Sequence, residues 1–153
     1  MNWRVAVTIV LLLILLVILS SFFYRGGYGG GGWVSPITRT QLVIHGEVTT
    51  PAEVYAASPW FEFTMFAGDS RTEYIRLSRK VPWDVYVWID VNADSPIGAS
   101  APRCAVVKEN GCDVPLSIYA PSSAPGGAYA IRVTIRRMSL GDILREGGSC
   151  ICK

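Results

Sequence analysis

The stretch Tyr129-Ala130-Ile131-Arg132-Val133-Thr134-Ile135-Arg136 places a large apolar side chain at every second position. Small or charged residues stand between these positions. Successive side chains of a β-strand point to opposite faces of the sheet, so this alternation is typical of a strand with one buried and one wet face. The stretch therefore predicts an all-β fold in which residues 129–136 lie in a packed sheet.

The same period of two recurs along the chain before this stretch. The predicted strands are residues 42–46, 61–65, 71–78, 85–91, 103–108, 114–120 and 129–136. Turn-forming residues such as Asn110-Gly111 separate them, and the only short helical period of this region lies at residues 140–145. About seven short strands with frequent turns predict a β-sandwich over residues 34–138.

Three segments of this region resemble a known family. They are Gly68-Asp69-Ser70, Val114-Pro115-Leu116-Ser117-Ile118 and Ser123-Ala124-Pro125-Gly126-Gly127-Ala128-Tyr129-Ala130-Ile131-Arg132-Val133. Their order resembles the immunoglobulin-like sandwich modules of archaeal and bacterial cell-surface proteins, in which the last segment forms a late hairpin-like pair. The resemblance covers residues 40–138 and implies an immunoglobulin-like β-sandwich at a cell surface. It implies no chemistry, since sandwiches host many unrelated roles.

The C-terminal tail, residues 139–153, departs from the pattern of these modules. A closing strand usually follows the segment that resembles Ala128 to Met138, but the tail has three glycines and poor alternation. An unfilled sheet edge exposes backbone donors and acceptors and invites a strand from a neighbouring subunit. The alternative is that an early strand, Trp60 to Phe66, already fills the sheet.

Residues 5–24, from Val5 to Tyr24, are uncharged and almost wholly apolar. As a helix they would reach about 30 Å, the thickness of the hydrocarbon core of a bilayer. We therefore expect residues 1–25 to form a single N-terminal transmembrane anchor that contacts the lipid bilayer through Val5 to Tyr24. A cleaved signal peptide and the core helix of an archaeal pilin are the alternatives.

The anchor is followed by a segment with an unusual density of glycine, residues 26–33. Such a composition is typical of a flexible tether, which here would join the anchor to the β domain. The positive charge of Arg4 before the apolar run slightly favours an inside N-terminus. The C-terminal domain is thereby predicted to be extracytoplasmic, in a single-pass protein.

The chain has four cysteines, all in its second half. This number fits an oxidising exterior better than a reducing cytosol. Cys104 and Cys112 flank the hairpin dipeptide Asn110-Gly111, and we expect them to form a disulfide across that turn. Cys150 and Cys152 are left as candidates for free thiols, a cross-link to another chain or a metal site, although a four-cysteine zinc site prefers Cys-x-x-Cys pairs.

Catalytic and cofactor signatures are missing from the sequence. The single histidine, His45, has no identifiable catalytic partner, and no nucleophile elbow or phosphate loop is present. We therefore predict a protein that is not an enzyme, with no metal and no cofactor. The net charge of +2 is too small to indicate nucleic-acid binding.

The remaining function class is a structural or interaction role at the cell surface, with a protein partner or self-association. The residues predicted for the interaction surface lie on polar strand faces or beside them: Trp83, Tyr86, Trp88, Arg132 and Arg136. Two alternatives to an anchored module remain. One is a subunit of an extracellular filament, pilin-like or assembled by strand exchange, and the other is an accessory subunit of a larger membrane complex.

Overall fold

The computed structural model describes residues 38–153 together with Trp3, Leu12 and Ile14. The predicted anchor and the glycine-rich segment at residues 26–33 thus lie almost wholly outside the described residues. Among the residues that are described, none of the helices has the length and apolarity needed to cross a membrane. The chain divides into two compact units, Met1–Thr38 and Arg39–Lys153, and the second contains all the strands described.

The second unit consists mainly of β-strands, as predicted. Its elements are β1 (Gln41–Thr49), β2 (Val54–Ala56), β3 (Trp60–Phe66), β4 (Ser70–Arg79), β5 (Val85–Ala93), β6 (Gly98–Ser100), β7 (Cys104–Val107), β8 (Cys112–Tyr119), β9 (Gly127–Arg137), helix α1 (Leu140–Glu146) and a 3-10 helix (Gly147–Ser149). All seven predicted strands are confirmed. The structure adds β2 and β6, which are only three residues long and too short to show a period.

The strands form two sheets. One has five strands in the order β3-β1-β9-β5-β7, and the other has four in the order β2-β4-β8-β6. Neighbouring strands are antiparallel except for β1 and β9, which run parallel with Ile44 opposite Tyr129. On its other side β9 pairs with β5, where Ile135 lies opposite Ile89. The stretch that predicted the fold is therefore the central strand of the larger sheet.

The apolar faces of the two sheets contribute to a single core cluster. From β9 it takes Ile131, Val133 and Ile135, each no more than 3% exposed, and from β8 of the other sheet it takes Leu116 and Ile118. The residues between them on β9 are half-buried or exposed. This is the division into a buried and a wet face that the alternation predicts.

A close aromatic contact holds β3 against β1. Gly46 and Phe61 are register partners, and the Phe61 ring lies directly over the glycine backbone. A β-carbon at Gly46 would stand 2.0 Å from this ring, so only glycine leaves room for it. The packing of Phe61 on Gly46 thus holds β3 against β1, and β3 is the edge strand of the five-stranded sheet.

Truncation of a core side chain on β8 tests this arrangement. Leu116 is fully buried, so Leu116→Ala should lower the free energy of unfolding by about 2–5 kcal/mol, because apolar contact is lost and a cavity remains. Urea unfolding of the full-length protein in detergent, followed by tryptophan fluorescence, measures this change. The neighbouring exposed Ser117→Ala is the matched control and should stay within about 0.5 kcal/mol of wild type. Equal effects of the two substitutions would contradict the assigned faces.

Candidate functional site

The disulfides differ from the predicted pairing. Cys104 is bonded to Cys150 and Cys112 to Cys152, so the expected Cys104–Cys112 bond is wrong. The tight turn at Gly111 does form, with φ of +78°. It does not join two strands of a hairpin, however, because β7 belongs to the five-stranded sheet and β8 to the four-stranded sheet. Cys104 accordingly lies in a small outer cluster while Cys112 lies in the main core.

The tail explains how two cysteines separated by one residue reach different partners. Residues two apart in an extended segment share a face, but Cys152 has a left-handed φ of +63°, so the backbone turns after Ile151 and the two cysteines reach different partners. Ile151 between them pairs in parallel with Ala105 of β7. Its N–H donates to the carbonyl of Cys104 at 3.2 Å, and its carbonyl accepts from the N–H of Val106 at 3.0 Å. The tail thus bridges the β7 edge at Ile151 in the described part of the chain. Of the two alternatives that the sequence left open, the early strand Trp60–Phe66 does join this sheet, as β3 at its other edge.

The tail also covers two residues that were predicted to form the interaction surface. The Trp88 indole N–H donates to Asp142 of α1 at 3.4 Å, and the Tyr86 ring packs beside Gly147. Both aromatic residues border a second apolar cluster, whose buried members are Cys104, Val106, Met138 and Cys150. Tyr86 and Trp88 are therefore packed beneath the tail and do not form an open face. Trp83 lies in the loop before β5 and is 55% exposed.

The two predicted arginines of β9 form ion pairs with two aspartates, Asp90 within β5 and Asp94 just after it. Arg132 lies 3.3 Å from Asp94, and the Arg136 Nε donates to Asp90 at 2.8 Å. Asp94 also accepts the backbone N–H of Ala130, and this bond together with Arg132 lowers the pKa of the Asp94 carboxyl. These arginines remain about half exposed and can still contact a partner.

The outer face of the five-stranded sheet has two halves. Its covered half is the face of β5 and β7 beneath the tail. Its open half is the outer face of β3, β1 and β9, where Trp60 is 78% exposed at the sheet margin. A groove of about 550 Å³ crosses this half, and its lining includes His45, Glu47, Trp60 and Arg132. His45 Nδ1 lies 3.0 Å from the Glu62 carboxylate beside it.

The backbone edge of β3 borders the open half. Two backbone bonds show which residues of β1 and β3 are hydrogen-bonded pairs: Val48 N–H donates to the Pro59 carbonyl, and Ala67 N–H donates to the Thr40 carbonyl. With the register between them, the odd-numbered residues of β3 bond to β1. The backbone groups of the even-numbered residues point away from the sheet: Trp60, Glu62, Thr64 and Phe66. Within residues 38–153 no strand pairs with this edge.

Sequence reasoning missed Trp60 and the β3 edge as functional candidates. The segment Trp60–Phe66 carries aromatic side chains at both alternating positions, so its pattern does not tell which face is exposed. A signal was nevertheless present, because an edge strand without lysine or proline is unprotected against pairing.

The open half is suited to contact by three physical means. Trp60 offers an aromatic face, Glu47 and Arg132 offer charge, and the β3 edge offers backbone hydrogen bonds. Within the described residues no three histidine, cysteine or acidic side chains are grouped so that they could hold a metal ion. Comparison with protein families and with curated proteins finds no match to this chain.

The disulfide pairing can be read directly from a tryptic digest. Cleavage after Arg103, Lys108 and Arg145 separates Cys104, Cys112 and the pair Cys150 and Cys152 into three peptides. Because both bonds reach the tail, all three peptides should migrate as one linked species that reduction releases, as seen by mass spectrometry without reductant. Fragmentation should then assign Cys104 to Cys150. A separate species joining only the Cys104 and Cys112 peptides would contradict the structure.

The cap of α1 should make tail docking sensitive to acid. The Ser139 hydroxyl and then the Trp88 indole, with Arg145, lower the pKa of the Asp142 carboxyl. A carboxyl whose pKa is lowered by folding stabilises the folded state above its unfolded pKa of about 3.9 and loses this effect as pH falls through the lowered value. Asp142→Asn should therefore speed amide exchange in α1 near neutral pH.

The difference between Asp142→Asn and wild type should shrink as the pH falls below the unfolded pKa and should vanish once the pH lies below the lowered pKa of Asp142, where both side chains are uncharged. Amide hydrogen exchange of residues 140–146, compared at matched intrinsic rates, measures it. Ser139→Ala is the companion variant, since it removes the principal hydrogen bond to the carboxylate while keeping its charge. A difference that persists unchanged in acid would show that the charge of Asp142 has no part in docking.

Proposed function

We propose that this chain is a membrane-anchored, single-pass protein whose extracytoplasmic immunoglobulin-like β-sandwich has a structural or interaction role at the cell surface. The observation that carries the proposal is the pair of disulfides that tie the tail to β7 of one sheet and to β8 of the other. Two structural disulfides in so small a domain are typical of exported proteins, since cytosolic thiols are kept reduced.

The location is supported by the sequence before the domain. The apolar run from Val5 to Tyr24 has the length of a bilayer-spanning helix, and a glycine-rich segment follows it. An oxidised domain on the far side of that helix accounts for both the apolar run and the cysteines. Export therefore explains two features that are separate in the sequence.

The immunoglobulin-like assignment is supported by three features of the domain. Two sheets share one core, β1 runs parallel to the last long strand β9, and the motif residues 123–133 form the entry to β9. There the Tyr129 hydroxyl donates to the Pro125 carbonyl at 2.7 Å. A tyrosine that bonds back to the backbone a few residues upstream is also found at a strand corner of immunoglobulin-like sandwiches.

The interaction role is supported by the open half of the five-stranded sheet. A large exposed tryptophan beside charged groups is typical of a contact surface, and an unpaired edge strand adds backbone bonds. A second candidate, a subunit of an extracellular filament, is favoured by the β3 edge alone, because strand pairing between subunits would use it. An accessory subunit of a larger membrane complex would instead contact its neighbours through the groove.

The first experiment is an intact-mass measurement of the native protein from two fractions, detergent-solubilised membranes and sheared extracellular material. We expect the full-length mass in membranes only, with all four cysteines unreactive to maleimide until they are reduced. A shortened mass in sedimenting extracellular material would replace the anchored module with the filament subunit. Maleimide-reactive cysteines in the native protein would overturn the extracytoplasmic location.

A further inference from the structure

We infer that the β3 edge is a homodimerisation site, at which β3 of one copy pairs antiparallel with β3 of a second copy across a two-fold axis. The two five-stranded sheets would then form one continuous sheet. The inference rests on the proposed interaction role and names its partner as a second copy of this chain. Such a dimer requires a free edge, a register without conflict and a physical reason for the strand to pair with its own copy.

The edge is free and straight within the described residues. β3 keeps an unbroken register with β1 from Trp60 to Phe66, so no bulge turns the edge away. The outward backbone groups belong to Trp60, Glu62, Thr64 and Phe66, and only the Phe66 carbonyl has a bond within its own chain, from the N–H of Asp69 at 3.0 Å. These are the groups that a sixth strand, added beside β3, would need for a new ladder.

The side of the domain next to β3 is open as well. In the four-stranded sheet, β2 pairs with β4 only over Leu77 to Arg79, so the first part of β4 has no neighbour on that side. Phe61 and Phe63 of β3 point towards the space between the sheets and are only partly buried, with ring centroids 6.0 Å apart. A strand placed beside β3 would complete the burial of these rings.

Of the antiparallel registers that bring outward residues opposite one another, three pair most of the strand. One centres on Glu62 and places it against its own copy, where like charges repel. One centres on Thr64 and leaves Trp60 without a partner. The third centres on Phe63 and places Trp60 opposite Phe66 of the second copy and Glu62 opposite Thr64 of the second copy.

The register centred on Phe63 satisfies both faces of the strand. On the outer face it joins two aromatic side chains and keeps each carboxylate opposite a hydroxyl. On the inner face Phe63 meets its own copy at a position where antiparallel backbones approach to about 4.5 Å, and Phe61 meets Met65. The Arg71 guanidinium that covers Phe63, 4.3 Å from its ring centroid, is already paired with Glu73 and adds no unpaired charge.

Self-pairing follows from this symmetry of charge and shape. The edge contains one charged residue, Glu62, and the register centred on Phe63 does not place it opposite the Glu62 of the second copy. Every other position of this register holds an apolar or a hydroxyl-bearing side chain. The same strand on both partners makes a closed, isologous contact, which ends at two copies. Natural edge strands that avoid pairing carry lysine, proline or a bulge, and β3 carries none of these over its length.

The test uses the full-length protein in detergent and a charge placed at the partner position of Glu62. Thr64→Glu puts two carboxylates opposite each other at both symmetric positions, and we expect the dimer Kd to rise about tenfold or more in sedimentation velocity. Thr49→Glu, on the outer face of β1, is the matched control and should leave the Kd unchanged. The double variant Glu62→Lys with Thr64→Glu restores opposite charges across the axis and should recover the dimer.

Each outcome decides the inference. Recovery by the double variant supports the Phe63-centred register, since a Glu62-centred register would set two lysines against each other. A dimer insensitive to residue 64 would place the contact elsewhere, for example in residues 5–24, and would overturn it. A monomer whose Glu62 and Thr64 amides resist hydrogen exchange would show that another segment covers the edge, and one whose amides exchange freely would show an unused edge. A monomeric, fully oxidised, membrane-bound chain overturns this inference alone and leaves the proposed function standing.

Discussion

β9 is bonded on both sides, and this position at the centre of the five-stranded sheet constrains everything around it. Its parallel register with β1 and antiparallel register with β5 fix which residues of three strands face the core. A slip of one residue on any of them would exchange the buried and wet faces, so Ile131, Val133 and Ile135 specify the register of the sheet. With β1 and β5 on either side of β9, β3 and β7 become the opposite edges of the sheet. The tail covers β7, and no described segment covers β3.

The wet and dry faces of the long strands could be predicted from sequence because alternation is a local property of a strand. The partners of the cysteines could not, because they depend on which sheet each strand joins. Asn110-Gly111 does make a tight turn, yet the strands on its two sides belong to different layers. One local signal pointed the other way: Ala105, Val106 and Val107 form an unbroken apolar run and are buried on both faces, which is typical of a strand covered on each side. That run indicates that a further segment covers the outer face of β7, and this segment is the tail.

The same reasoning explains why the predicted contact residues were only partly in the right place. Tyr86 and Trp88 alternate with core residues, so they had to lie on the outer face of β5, but sequence alone does not reveal that α1 folds over them. The Ser139 hydroxyl caps α1 by accepting the backbone N–H of Asp142, and it donates in turn to the Asp142 carboxylate. The same carboxylate also accepts the Trp88 indole N–H. The helix is thus docked through its own cap. Arg132 and Arg136 lie on the neighbouring strand β9, with Arg136 opposite Trp88, and keep much of their exposure.

The two edges of the sheet are consequently treated in opposite ways. At β7 the chain uses a backbone bridge at Ile151 flanked by two disulfides, each closing a loop of 40 or more residues. In the chain-entropy description, cross-links of that span each stabilise a fold by roughly 4 kcal/mol, a sizeable fraction of the stability of a small domain. At β3 there is no comparable covering segment within residues 38–153, and two of the four exposed side chains there are aromatic. Of the two edges of this sheet, β3 is therefore the one whose backbone groups stay accessible to a strand from another copy.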